Sequence, residues 1–268
     1  MKLSIAIAEN ASEMAPIVLR GDLVDSIKKA AQIGYDAVEL HIRDPKEVDV
    51  NEIKDVCEQY NIEVSTIGTG SGYGMDKLSL SSPDEGIRQK AIQRIIDHIH
   101  FAKHFNAGVI IGLIRGQVKE TESYQAFETK LIMSLKECLA AAEKENVVLV
   151  LEAINRFESD VLCDLERTAA FVRKINSSHL KLHIDTFHMN IEERSMVNSI
   201  KNVKDVLGHV HLADSNRWYP GHGHYNFKET IEVLKEVSYS NILAMECMMF
   251  PEQNEAAEKA YAYIKKLL

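Results

Sequence analysis

The sequence predicts a single (β/α)8 barrel. Three observations carry that reading: eight short apolar runs recur along the 268 residues, longer amphipathic stretches follow most of them, and no linker, low-complexity tract or composition shift divides the chain. A barrel of about 250 residues occupies such a length as one domain. Residues 1–268 are therefore read as one barrel domain.

The elements follow in order. Leu3–Ala8 opens as a strand, and Asp22–Gly34 follows as a helix with Leu23, Ile27, Ala30 and Ala31 at helical spacing and a glycine stop. Ala37–His41 and Ile62–Gly68 are the second and third runs. Pro83–Phe105 begins Pro-Asp-Glu after Ser82, an N-terminal helix signature. Ala107–Ile114 precedes the helical stretch Ser123–Asn146, and Val147–Glu152 precedes Asp164–Asn176. Leu180–Asp185 and Gly208–Ala213 are the sixth and seventh runs. Phe227–Val237, Ile242–Cys247 and Pro251–Leu268 complete the series. The runs are aliphatic or β-branched, and most lack clean polar alternation, as strands of a parallel sheet buried on both faces do. A doubly wound sheet is the competitor; eight regular units favour the barrel.

Composition narrows the function. Hydrophobic residues make 46% and charged residues 26% of the chain, which excludes disorder, collagen and coiled coil. With 31 Lys+Arg against 40 Asp+Glu, the net charge of −9 argues against nucleic acid as partner. No apolar run approaches the roughly 18 residues of a membrane span. The opening Met1–Asn10 reads as a first strand and not a signal peptide. Cys57, Cys138, Cys163 and Cys247 are scattered, with no C-x-x-C pair, so free thiols in a reducing, cytoplasmic compartment are expected.

Barrel chemistry sits at the carboxyl ends of the strands. The fifth run ends in Glu152, the sixth in Asp185, the seventh delivers His211 and the eighth ends in Glu246. Their spacings are 33, 26 and 35 residues, each about one strand–helix repeat, so the four side chains converge on one mouth. Polar residues often cap strands, so any one of these alone marks no site. Three grouped carboxylates, however, repel one another and need a cation. Oxygen donors with one imidazole suit Mn²⁺, Mg²⁺ or Co²⁺. His183 shares a strand face with Asp185, and His209 with His211, so both line the barrel deeper down. His188 falls in the loop above the sixth strand as a substrate or metal-water contact. His98, His100 and His104 read as helix surface.

Glu152 and Glu246 come from strands three steps apart. A divalent ion holding two adjacent oxygens of a hydroxy-ketone stabilises the enediolate as a Lewis acid. One carboxylate can then remove the proton beside the carbonyl and the other return it to the opposite face, which is epimerisation. Return to the neighbouring carbon gives aldose–ketose isomerisation, and the residues leave both open. Gly68–Gly74 fits neither a dinucleotide fingerprint nor a P-loop, and reads as a wall or lid of the mouth. Trp218–His224 reads as another wall.

The segments Leu151-Glu152-Ala153-Ile154-Asn155-Arg156-Phe157-Glu158, Ile184-Asp185-Thr186-Phe187-His188-Met189-Asn190-Ile191-Glu192-Glu193 and His209-Val210-His211-Leu212-Ala213-Asp214-Ser215-Asn216-Arg217 resemble the xylose-isomerase-like barrels. Within these they are similar to the ketose 3-epimerase branch (tagatose and psicose 3-epimerases). The rest of the chain, with Ile110-Ile111-Gly112-Leu113-Ile114-Arg115-Gly116, is similar to a shorter subgroup that contains 5-keto-L-gluconate epimerase. The resemblance implies Glu152, Asp185, His211 and Glu246 as ligands of one divalent ion, usually Mn²⁺. It implies Glu152 and Glu246 as acid and base, and Glu158, His188 and Arg217 as holders of substrate oxygens. It also implies a dimer or tetramer. The chain departs from tagatose-type enzymes in having Leu113 and Arg115 where they carry an aromatic residue. The expected activity is metal-dependent epimerisation of a ketose or keto-sugar acid; for a keto-acid sugar, Arg115 and Arg217 are the candidates to pair with the carboxylate, Arg115 nearest it. An aldose–ketose isomerase, a 3-keto-glycoside 4-epimerase, an inosose-type dehydratase and a non-catalytic sugar-binding barrel remain as rivals. DNA repair of the endonuclease IV kind fits the acidic chain poorly.

Overall fold

The structure is a computed structural model of residues 1–268. Nine strands form one parallel sheet: β1 (Lys2–Ala8), β2 (Leu19–Arg20), β3 (Ala37–His41), β4 (Glu63–Gly68), β5 (Gly108–Ile111), β6 (Leu149–Glu152), β7 (Leu180–Asp185), β8 (Leu207–Leu212) and β9 (Ile242–Met245). Strands β3 to β9 pair in sequence order, and β9 pairs back onto β1 from Lys2↔Ile242 to Ile5↔Met245, which closes an eight-stranded barrel. The two-residue β2 pairs with Ile7 and Ala8 on the same edge of β1, above the point where β9 ends.

Ten α-helices accompany the strands: α1 (Leu23–Ile33), α2 (Val50–Tyr60), α3 (Gly70–Gly74), α4 (Glu85–Ala102), α5 (Tyr124–Glu145), α6 (Leu165–Ile175), α7 (Thr186–Glu192), α8 (Met196–Val203), α9 (Phe227–Glu236) and α10 (Gln253–Lys265). Local chemistry sets their ends. Asp22, Asp84, Ser123 and Asp164 accept first-turn N–H groups of α1, α4, α5 and α6, and Gly34, Asn146 and Asn176 close α1, α5 and α6 in the left-handed conformation. Helix α2 follows the second run and is not among the predicted helices, although Val50, Ile53, Val56, Cys57 and Tyr60 stand at helical spacing; Asp49 caps it, and Ile53, Val56 and Cys57 are buried.

Alternation along β1 shows how the core divides. Leu3, Ile5 and Ile7 join the main apolar core, while Ala6 and Ala8 face the other way and pack with Ile17. Small residues on that inner face leave room for larger polar ones from the other strands. The ladders shift register beside two of these, between Val38 and Glu39 and between Leu182 and His183. Such irregularities re-aim side chains near functional sites.

The fourth predicted run is shorter than its apolar letters suggest. β5 stops at Ile111, Gly112 leaves the extended region (φ −94°, ψ −123°), and Leu113–Arg115 forms a 3₁₀ turn. That turn carries Arg115 away from the mouth.

Candidate metal centre and sugar site

The four strand-end residues converge. Glu152 ends β6, Asp185 ends β7, His211 lies in β8 and Glu246 follows β9, and one potential ligand atom from each lies within 4.8 Å of all the others. All four are buried. Asp185 Oδ1 accepts the Phe187 N–H at 2.7 Å as the cap of α7, which orients the carboxylate; Oδ2 has no partner. His211 Nδ1 likewise has no hydrogen-bond partner and lies 3.4 Å from Glu246 Oε2 and 3.9 Å from Asp185 Oδ2. Burial, then the neighbouring Glu246 and Asp185 carboxylates, hold the Glu152 pKa well above the usual range. Three crowded carboxylates, an orphaned oxygen and an orphaned imidazole nitrogen are a donor set that a divalent cation satisfies.

A second group surrounds the cluster. Arg217 Nη1 donates to Glu158 Oε1 at 2.7 Å, and its Nη2 lies 3.9 Å from Glu246 Oε2. Its guanidinium carbon sits 4.8 Å from the centre of the Phe187 ring, a cation–π contact. Asn155 Oδ1 accepts the Phe157 N–H, which fixes the amide, so Nδ2 faces Glu158 Oε1 at 3.0 Å and His188 Nδ1 at 2.6 Å. Burial pushes the His188 pKa down to about 4, and the neutral ring accepts from Asn155 at Nδ1. Its proton is then on Nε2, 3.7 Å from Glu152 Oε1. His188 lies in α7 and not in a loop; the backbone winds directly into helix at Thr186 because Asp185 caps it.

Sequence reasoning missed the floor beneath these ligands. Glu39 in β3 is fully buried and contacts His41, His209, His211 and Thr66. Burial opposes its charge, yet His211, His209 and His41 hold its pKa well below the usual carboxylate range. The signal was present: Glu39-Leu40-His41 has the same polar–apolar–polar alternation as His183-Ile184-Asp185 and His209-Val210-His211. His183 and His209 do lie deeper in the barrel, with the His183 ring centre 4.0 Å from that of His211 and 5.0 Å from that of His209.

Arg115 requires a correction. Its side chain is fully buried, and Nη1 donates to the Glu152 carbonyl at 2.7 Å while Nη2 donates to Ser159 Oγ and the Val161 carbonyl. It braces the segment after β6 from behind and does not line the cavity. His98 is also buried, with ring nitrogens on the Arg94 and Ile42 carbonyls, and so is not helix surface.

The mouth is a cavity of about 790 Å³. Its walls include Gly68 and α3, where Thr69 Oγ1 holds the Ile110 carbonyl at 2.7 Å, and the segment 8–17. Gly68 is small for a reason: a Cβ there would stand 2.5 Å from His41 Nδ1. Arg20 also borders the cavity, but its guanidinium donates to the carbonyls of Ala11, Ser12, Glu13, Ala15 and Ile17. The segment Trp218–His224 packs on itself, with Trp218 stacked on His222 and Asp214 accepting the Gly221 N–H, and lies outside the cavity wall.

The model of the xylose isomerase-like TIM barrel matches residues 27–267. The chain belongs to that family. Among relatives in this family, the D-psicose 3-epimerase of Enterocloster bolteae is 30% identical over 224 residues, covering 81% of this chain and 74% of that protein. The L-ribulose 3-epimerase of a Methylomonas species is 25% identical and covers 90% of both chains. The 3-dehydro-D-guloside 4-epimerase of Escherichia coli is 23% identical, covering 84% of this chain and 87% of that one. A D-psicose 3-epimerase from Clostridium cellulolyticum superposes with a TM-score of 0.83 at 24% identity, over 100% of this chain and 99% of that one, which shows the shared barrel.

Proposed function

We propose that this chain is a divalent-metal-dependent ketose 3-epimerase acting on a neutral sugar, with Glu152 and Glu246 as its acid/base pair. The observation that carries the reading is the pairing of these two carboxylates, from strands three steps apart, across one four-residue ligand cluster. Glu152, Asp185, His211 and Glu246 would hold the ion, Mn²⁺ in this reading. When bound, it supplies Lewis-acid stabilisation of charge on the substrate oxygens. Glu152 and Glu246 then take the proton beside the ketone from one face and deliver one to the other. His188 donates from Nε2 to a substrate oxygen. Arg217, held by Glu158 and Phe187, orients a second. The four cysteines are free, which suits a reducing, cytoplasmic setting.

The expectation of a keto-acid substrate rested on Arg115. With that guanidinium buried, Arg217 paired to Glu158 and Arg20 occupied by five carbonyls, the cavity offers no free cation to a carboxylate. The inner wall instead carries Glu152, Glu158 and Glu246, which favours an uncharged sugar. A second reading, epimerisation of a 3-keto-glycoside at C4, is favoured by one feature: the cavity reaches out to the exposed Met14 and Met75, apolar surface that an aglycone would cover.

Incubation with Mn²⁺ and neutral ketoses, keto-uronates and 3-keto-glycosides in D₂O tests these readings. Deuterium is expected at C3 of a neutral ketose, and uptake at C4 of a 3-keto-glycoside selects the second reading. Glu246→Gln and Glu152→Gln are each expected to slow exchange about 10²–10⁴-fold. Preferential turnover of a keto-uronate, or exchange surviving both substitutions, overturns the proposal.

A further inference from the structure

Beneath the ligand cluster, one carboxylate gathers four donors. Glu39 Oε1 lies 2.8 Å from His41 Nε2, while Oε2 lies 2.9 Å from His209 Nε2 and accepts the Thr66 hydroxyl. His211 Nε2 sits between both oxygens, 2.9 Å from Oε1 and 3.0 Å from Oε2. An ionised carboxylate only accepts hydrogen bonds, so each of the three rings turns an N–H toward it. For His211 the proton is thereby assigned to Nε2. The opposite nitrogen, Nδ1, is the one that faces Asp185 and Glu246 without a hydrogen-bond partner.

We propose that Glu39 is a positioning residue that holds the His211 ring with its proton on Nε2 and so presents Nδ1 to the divalent ion. The inference rests on the metal-site reading above. A histidine ligand commonly gives its second N–H to a carboxylate, which fixes the ring and makes the ligating nitrogen more basic. Here the carboxylate comes from β3, a strand that contributes none of the four ligands. No Lys or Arg pairs with it, so its buried charge is sustained by the imidazoles and Thr66 alone. Glu39, His41 and Glu246 also lie close enough to suggest a second ion. The four donors already fill the roughly four lone-pair positions of the Glu39 carboxylate, and in the third such group, His183, His209 and His211, the Nε2 atoms of His209 and His211 are committed to Glu39, so one ion per chain is expected.

Three measurements test the proposal. In calorimetric titration, wild-type protein is expected to bind one Mn²⁺ per chain, and the isosteric Glu39→Gln variant to bind it about 10–100-fold more weakly. In wild-type protein loaded with Cd²⁺, cadmium–nitrogen coupling is expected at His211 Nδ1, with Nε2 still protonated. In metal-free protein, His211 is expected to show a slowly exchanging, downfield Nε2–H resonance that Glu39→Gln lacks, a signature that loss of packing alone does not predict. A folded variant with wild-type affinity, cadmium on Nε2, or two ions per chain overturns the inference. If the variant does not fold, the cadmium measurement on wild-type protein decides. Failure of the metal-site reading looks different: wild-type protein then binds neither Mn²⁺ nor Cd²⁺, which removes the ligand role of His211 as well.

Discussion

A buried guanidinium must find acceptors for the N–H groups it turns inward, and Arg115 finds three on the chain between Glu152 and Val161. Burial lowers its pKa to about 10, which still leaves it charged at neutral pH. Removing it takes one donor from each of two carbonyls and a hydroxyl, and empties one of the largest fully buried side-chain volumes. Arg115→Ala is therefore expected to lower the unfolding free energy by about 3–5 kcal/mol in urea denaturation. A role in gripping substrate predicts the reverse: near-native stability and a raised KM. Glu39 shows the same principle with opposite sign. Glu39 lies inside an apolar run and Arg115 directly after one, and their letters identify them as unusual without saying which partners they meet.

At the scale of elements, the segment from Asp185 to Glu193 combines a site with its own scaffold. Asp185 caps α7, and His188 projects from it toward Glu152. Past its end, Glu193 accepts the Leu165 N–H at the start of α6 and the Ser199 hydroxyl of α8. Glu192 takes the Arg156 backbone N–H and its guanidinium, tying α7 to the segment after β6 that carries Glu158. The hydrogen bond from the Arg156 side chain, against some desolvation, lowers the Glu192 pKa below its ordinary value of 4.5. A carboxylate with a depressed folded pKa contributes stability that is present above the unfolded value and lost as pH falls through the folded one. Glu192→Gln is thus expected to lower Tm by about 2–3 °C at pH 7, with the gap to wild type closing below about pH 4. A gap that persists unchanged in acid would show that the ion pair is not its source.

Across the whole molecule, the barrel collects charge at its centre that no single strand tolerates. Glu152, Asp185 and Glu246 share one mouth with a single imidazole, and burial and mutual repulsion hold the Glu152 pKa up. An ion that binds there binds only the folded chain. At one hundred times its Kd it should add about 2.7 kcal/mol of stability. For a chain of this size that is a rise in Tm of about 5 °C, read by scanning calorimetry with Mn²⁺ and reversed by EDTA. A Tm indifferent to Mn²⁺, Mg²⁺ and Co²⁺ at millimolar levels would contradict a metal centre.

Much of this was legible in the letters. Eight apolar runs at repeating intervals predicted the closed barrel, because strands buried on both faces carry continuous aliphatic sequence. Polar residues at the ends of four consecutive runs pointed to Glu152, Asp185, His211 and Glu246, because a parallel barrel brings all its strand ends to one mouth. Other features depended on contacts between distant segments. Arg115 turns inward because the chain bends at Gly112, and its acceptors lie some forty residues further on. Glu39 meets His209 and His211 only because β9 pairs with β1 and closes the ring. The sequence by itself determined the repeat and the chemistry at its ends, since both follow from local periodicity. Only the tertiary structure decided which buried charges face the cavity and which brace it, since that depends on partners brought together by closure.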